Sequence, residues 1–269
     1  MIEKSTRRPN AFMTGFALVC LTLIAACSSV PSESAPTAAT TSNNKPNPEL
    51  LQQADKSYLE RADLARVREG LETLRRARAV DFGNYDVTWR TARLNYTLGD
   101  KSTDKAEKVK AFSEGVEAGE TAVKAKLDGV EGHFWLGANR GGYAQAKGPL
   151  YGLSAAEGLR KEMETVLKLD EGFQGGSAFM VLGRLDLELP GMLGGDPNRA
   201  VATLERGLKY GDQNSLLRVR LAEAYFRTKR PNEAREQINF VLKMKPHPDF
   251  LPEHEESVAK ARELLQKRF

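Results

Sequence analysis

The sequence predicts an all-α fold, a right-handed superhelix of antiparallel helix pairs repeated along the chain. Three observations carry this expectation. No segment alternates β-branched and polar residues with the period of two that a half-buried strand shows. Ala, Leu, Lys, Arg and Glu dominate, with 28 % charged and only 7 % aromatic residues, a balance suited to helices with narrow apolar stripes. Related runs at 75–81, 122–128, 165–170, 206–212 and 240–246 close successive helices. Taking Ala77, Val123, Val166, Gly207 and Val241 as equivalent spaces them 46, 43, 41 and 34 residues apart.

Asn47-Pro48-Glu49 supplies an N-cap with proline at the first helical position, where its missing N–H costs nothing, and residues 49–80 then form an opening helix pair. The last spacing is the length of a tetratricopeptide repeat, whose pattern is a large residue, Leu, a small residue and Tyr, then Ala and Pro. Residues 215–248 follow it with Leu221, Ala222, Tyr225, Ala234 and Pro246, with Arg218 in the aromatic place. The repeats before it offer Trp89, Ala92, Arg93 and Tyr96, then His133, Leu136, Gly137 and Arg140, then Phe179, Leu182, Gly183 and Asp186. The small residue lets paired helices approach closely. The surplus residues of the first three repeats are expected between the two helices of each pair, as turns rich in glycine at 137–142 and 189–196. Further helix starts are expected at the capping box Ser154–Glu157 and at Asp196-Pro197, Pro231 and Pro252. Pro252–Phe269 forms a capping helix with Val258, Ala261, Leu264 and Leu265 on one stripe.

Lys4, Arg7 and Arg8 precede an apolar run from Ala11 to Ala26, the form of a signal peptide. Ile24-Ala25-Ala26-Cys27 resembles the lipobox of bacterial lipoproteins, which implies cleavage before Cys27 and acylation of that residue. An ordinary secretory signal with a chance cysteine is the other reading. Residues 27–48 then form a lipidated cysteine and a polar tether of Ser, Thr, Pro, Ala and Asn, and residues 49–269 form the repeat domain. Ser28 after the cysteine resembles the pattern that sorts such proteins to the outer membrane, and implies its periplasmic face.

Cys20 and Cys27 are the two cysteines, so the expected folded part has no thiol for catalysis, Fe–S clusters or zinc. The net charge of +4 falls to about +2 without the leader, which predicts no nucleic-acid partner. Lys147 is followed by Gly148 rather than Ser or Thr, so the nearby glycines make no phosphate-binding loop. His133, His247 and His254 match no zinc spacing. No enzyme activity, cofactor or metal is expected.

Gly132–Asn139, Gly175–Arg184 and Leu189–Asp196 together resemble the T-component of TRAP (tripartite ATP-independent periplasmic) transporters. The resemblance covers about residues 50–245. It implies a periplasmic lipoprotein associated with the solute-binding P-component. It also implies a homo-oligomer, a trimer being the form envisaged, with a channel that holds a small organic acid or an apolar solute. The other function consistent with the repeats is a general scaffold gripping peptide segments during envelope assembly.

Arg140 and Asp186 occupy equivalent positions of successive repeats, so they are expected within ion-pair reach on the inner groove. They would form either a buried structural pair or a polar spot that reads a ligand carboxylate. Trp135, Asn139, Tyr143 and Phe179 belong to nearby helix faces, and Arg184 sits four residues before Glu188. Met192, in the glycine-rich turn, is expected to line an opening or a partner surface.

Overall fold

The computed structural model describes residues 47–268; the signal-like segment, Cys27 and the tether up to residue 46 lie outside the described residues. Eleven α-helices succeed one another, with no strand among the described residues: α1 Pro48–Leu59, α2 Leu64–Val80, α3 Tyr85–Lys101, α4 Lys105–Ala125, α5 Val130–Lys147, α6 Pro149–Leu169, α7 Ser177–Glu188, α8 Pro197–Gly207, α9 Ser215–Arg227, α10 Pro231–Lys243 and α11 Leu251–Arg268. Each helix packs on the next in sequence, and α1 also meets α3, α3 meets α5, α7 meets α9 and α9 meets α11. The first helix of each pair therefore lines one side of the array, as in a tetratricopeptide superhelix.

Local chemistry sets the helix starts. Asn47 accepts from the Glu49 N–H with Pro48 just inside the helix, and Asp196 accepts from the N–H groups of Asn198 and Arg199 beside Pro197. Asn84, Asp104 and Asn214 cap α3, α4 and α9 in the same manner. The capping box expected at Ser154 is not formed. Gly148, at φ 109°, breaks the chain earlier, Pro149 opens α6, and Ser154 lies inside that helix with its hydroxyl donating to the Tyr151 carbonyl.

The surplus residues of the first two repeats do not form turns either. Residues 137–142 lie within α5, and the extra length goes into the helices: α3 to α6 have 17, 21, 18 and 21 residues against 13 each in α9 and α10. The cause is close packing. A Cβ on Gly119 of α4 would sit 2.8 Å from the Leu136 Cα of α5, so glycine's poor helix propensity is offset by helix contact over the added turns. Of the first three repeats, only the third, α7–α8, puts its surplus into the connection, with Gly191–Leu193 in a short 3-10 helix and Gly194 at φ 89°.

Three apolar clusters divide the length of the array. One joins Val67, Leu74 and Leu94, a second joins Trp135, Met163 and Leu182, and a third joins Leu204, Leu221, Ile238 and Leu264. The first helices of the described array also meet its last. Arg61, in the turn after α1, forms a bidentate pair with Glu253 of α11, and Lys101 at the end of α3 reaches Glu256.

Candidate functional site

The first helices of the pairs bring aromatic residues together from distant parts of the chain. Trp135 of α5 meets Tyr58 of α1 at 6.2 Å between ring centroids, Tyr96 of α3 at 5.7 Å and Phe134 at 5.0 Å. Phe134 continues to Phe173 at 5.3 Å, and Tyr96 to Phe112 at 6.0 Å. The edge-on and tilted arrangements are those that ring quadrupoles favour. The Trp135 Nε1–H is buried and has no partner among the described residues.

Beside the rings lies a row of guanidinium groups. Arg61 and Arg93 cover the Tyr58 ring at 4.5 and 4.1 Å, while Arg93 and Arg90 cover Trp89 at 4.8 and 4.2 Å. Asp55 accepts from Arg90 and Arg93. Burial alone would raise its pKa, but those hydrogen bonds outweigh burial and hold it below the ordinary carboxylate value. Burial, Asp100 and Glu253 push the Tyr96 hydroxyl up, with Arg184 opposing. Asp100 is exposed to solvent, yet the protein around it raises its pKa, Lys101 offsets part of that, and Glu256 adds to it. Groups from α1, α3, α7 and α11 thus act on one another in a single region.

Of the residues singled out in the sequence, Trp135 and Arg184 belong to this region. Arg184 donates to Glu188 at 2.7 Å and lies near enough to Tyr96 and Asp100 to act on both. Arg140 and Asp186 do not pair. Arg140 holds Glu162 at 3.0 Å and Glu120 at 3.1 Å, and Glu162 also meets His133 at 2.7 Å. Asp186, 1 % exposed, takes Arg160 at 2.5 Å and both Nε and Nη2 of Arg199. The equivalence of repeat positions fails because each side chain is held between second helices, Arg140 between Glu120 of α4 and Glu162 of α6 and Asp186 between Arg160 of α6 and Arg199 of α8. Asn139 is buried and donates to the carbonyls of Ala92 and Trp135, tying α5 to α3. Phe179 is core, stacked on Tyr210 and packed on Gly207. Met192 is 92 % exposed at the tip of the turn.

Two concavities lie away from Arg140 and Asp186. One, of about 770 Å³, is bounded by Lys105, Val109, Lys110, Ser113 and Tyr143; the other, of about 420 Å³, by Arg68, Arg75, Arg78 and Glu117 among others. Neither is lined by the glycine-rich stretches at 137–142 and 189–196. Sequence reasoning did not single out Tyr58, Arg61, Asp100 or Glu253. The usable signal was Tyr96 at the aromatic repeat position; nothing local ties Arg61 to Glu253, 192 residues away. Among the described residues no helix is long and apolar enough to cross a membrane.

A family model described as TRAP transporter T-component matches residues 47–268. No curated protein matches the chain in sequence. Among solved structures, a thermophilic tetratricopeptide protein of Thermus thermophilus is 19 % identical with a TM-score of 0.60, covering 81 % of this chain and 98 % of that one. PilF of Pseudomonas aeruginosa is 14 % identical with a TM-score of 0.53, covering 82 % and 93 %. At these identities the neighbours are similar in fold.

Proposed function

Because the chain belongs to the TRAP transporter T-component family, we propose that it is a non-enzymatic accessory of solute uptake, lipid-anchored through Cys27 on the periplasmic face of the outer membrane. In this reading the region around Tyr58, Tyr96, Trp135 and Arg184 holds a small organic solute or receives the solute-binding P-component. The observation that carries it is the convergence of rings and charges from α1, α3, α5, α7 and α11 on the side of the array lined by the first helices. Rings supply apolar contact area, and Arg184 and the unpaired Trp135 N–H supply orientation, the usual division of labour in a binding site. Any homo-oligomer would have to leave this side accessible.

The test is a thermal-shift screen of organic acids and short-chain lipids, since a ligand of the folded form raises its apparent stability. A binding compound is expected to lose most of its shift in Trp135→Phe and Tyr96→Ala chains, and to keep it in Met192→Ala. A shift that survives both interior substitutions would place the ligand elsewhere and overturn this reading of the site.

A further inference from the structure

Glu253 and Glu256 lie three residues apart on one face of α11, and both end on cations of the first helix pairs, Arg61 after α1 and Lys101 at the end of α3. Arg61 grips Glu253 with two bonds, Nε to Oε1 at 3.0 Å and Nη2 to Oε2 at 2.8 Å, while Lys101 Nζ meets Glu256 at 2.8 Å. The receiving side is positioned without α11. Arg61 is only 3 % exposed, donates Nη1 to the Tyr58 carbonyl and lies on the Tyr58 ring, which Arg93 backs from α3. The donated side is not comparably fixed. No side chain from 251 to 256 is buried, the buried residues of α11 begin at Ser257, and the connector is exposed from 245 to 248 with Pro246 and Pro248 in it.

A cradle built from its own side, filled by two turns held mainly through carboxylates, is a site with a replaceable occupant. Opening would break ion pairs of partly exposed carboxylates, Glu253 with Arg61 and Glu256 with Lys101 among them, and uncover no buried side chain from 251 to 256, so it falls among the low-cost local openings of a fold. We propose that the cradle of Arg61, Tyr58 and Lys101 is a docking site for an acidic helical segment of a protein partner, and that α11 fills it in the free chain. The segment would present two carboxylates three residues apart, because that spacing puts both on one helix face, as Glu253 and Glu256 are now. The Arg61 fork fits a planar carboxylate edge-on, whereas Lys101 accepts any nearby anion, so the first carboxylate sets register and the second adds charge. The cradle shares Tyr58 with the proposed solute site, but the two readings fail separately: the ligand screen turns on Trp135 and Tyr96, and the cradle on Arg61, Glu253 and Glu256.

The experiment measures fluorescence anisotropy of a labelled synthetic peptide spanning residues 248–262, added to the full chain. In the wild-type chain the tethered α11 competes at high effective concentration, so the peptide binds weakly. In a chain carrying Glu253→Gln and Glu256→Gln it is expected to bind at least about tenfold more tightly. A peptide with glutamine at both positions is expected to lose that binding, and Arg61→Lys in the double-variant chain to weaken it. Equal affinity for the wild-type and double-variant chains, or equal binding of the glutamine peptide, would overturn the proposal. Should Arg61→Lys disturb folding, seen by circular dichroism, the substitutions on the peptide still decide.

Discussion

At the scale of single residues, the buried charges of this protein are arranged as holders of structure. Asp186 joins Arg160 of α6 to Arg199 of α8, and Arg199 also reaches the Gly194 carbonyl in the turn between α7 and α8. Removing the buried carboxylate costs its charge-assisted hydrogen bonds but leaves Arg160 and Arg199 within reach of water, so Asp186→Ala is expected to cost about 2 kcal/mol in urea unfolding. A loss below about 0.5 kcal/mol, the scale of an ordinary surface change, would refute that role. Asp100 is the opposite case. Its pKa is raised in the folded state above the ordinary 3.8, chiefly because the surrounding protein crowds a carboxyl that water still reaches, so its ionised form opposes folding by a small, solvent-screened amount. The sign follows: the penalty is full above the folded pKa and vanishes as pH falls below the unfolded value. Asp100→Asn is therefore expected to raise the melting temperature at pH 7 and to lose that advantage near pH 3. An advantage that grows on acidification contradicts the assignment.

At the scale of elements, two glycines in neighbouring helices have opposite meanings. Gly141 of α5 has room: a Cβ there would meet Leu159 at 3.5 Å, an ordinary contact. Gly141→Ala should stabilise the chain by up to about 1 kcal/mol through helix propensity. Gly119 of α4 has none, because the nearest atom is backbone of α5 at 2.8 Å and cannot swing aside. Gly119→Ala should destabilise by about 1–3 kcal/mol despite the same propensity gain. Denaturation midpoints of the two variants moving in the same direction would show that the spacing of α4 and α5 is not set at this contact. The contrast also explains the misread turn. Runs of glycine in a sequence suggest a loop, and only the partner helices reveal that Gly137 and Gly142 of that run lie close against Met163 and Phe112 while Gly141 has room.

At the scale of the whole molecule, contacts between Arg61 and Glu253 and between Lys101 and Glu256 join the first helix pairs to the last helix. In an open repeat array each repeat is coupled only to its neighbours, so a change at one end is not felt at the other. Here Glu253→Gln is expected to speed amide exchange both in the first turns of α11 and in the α1–α2 turn, leaving α5 and α6 unchanged. Acceleration confined to α11 would mean that the ends touch without supporting each other. The three apolar clusters lie along the array, so loosening this closure should not unfold the middle.

What the sequence determined by itself was whatever neighbouring residues settle between them. Asn47-Pro48 and Asp196-Pro197 start helices because the cap and the proline act within one turn, and the repeat spacing announces stacked pairs because every pair must cover the apolar stripe of the next. Trp135 and Arg184 were legible as notable side chains on those helices. The tertiary structure alone decided their company: which acid Arg140 finds, that Tyr58 and Tyr96 meet Trp135, and that Arg61 meets Glu253. Those outcomes depend on how far helices tilt, lengthen and curl over some two hundred residues, and Coulomb and packing energies depend on distance in space, which separation along the chain does not reveal.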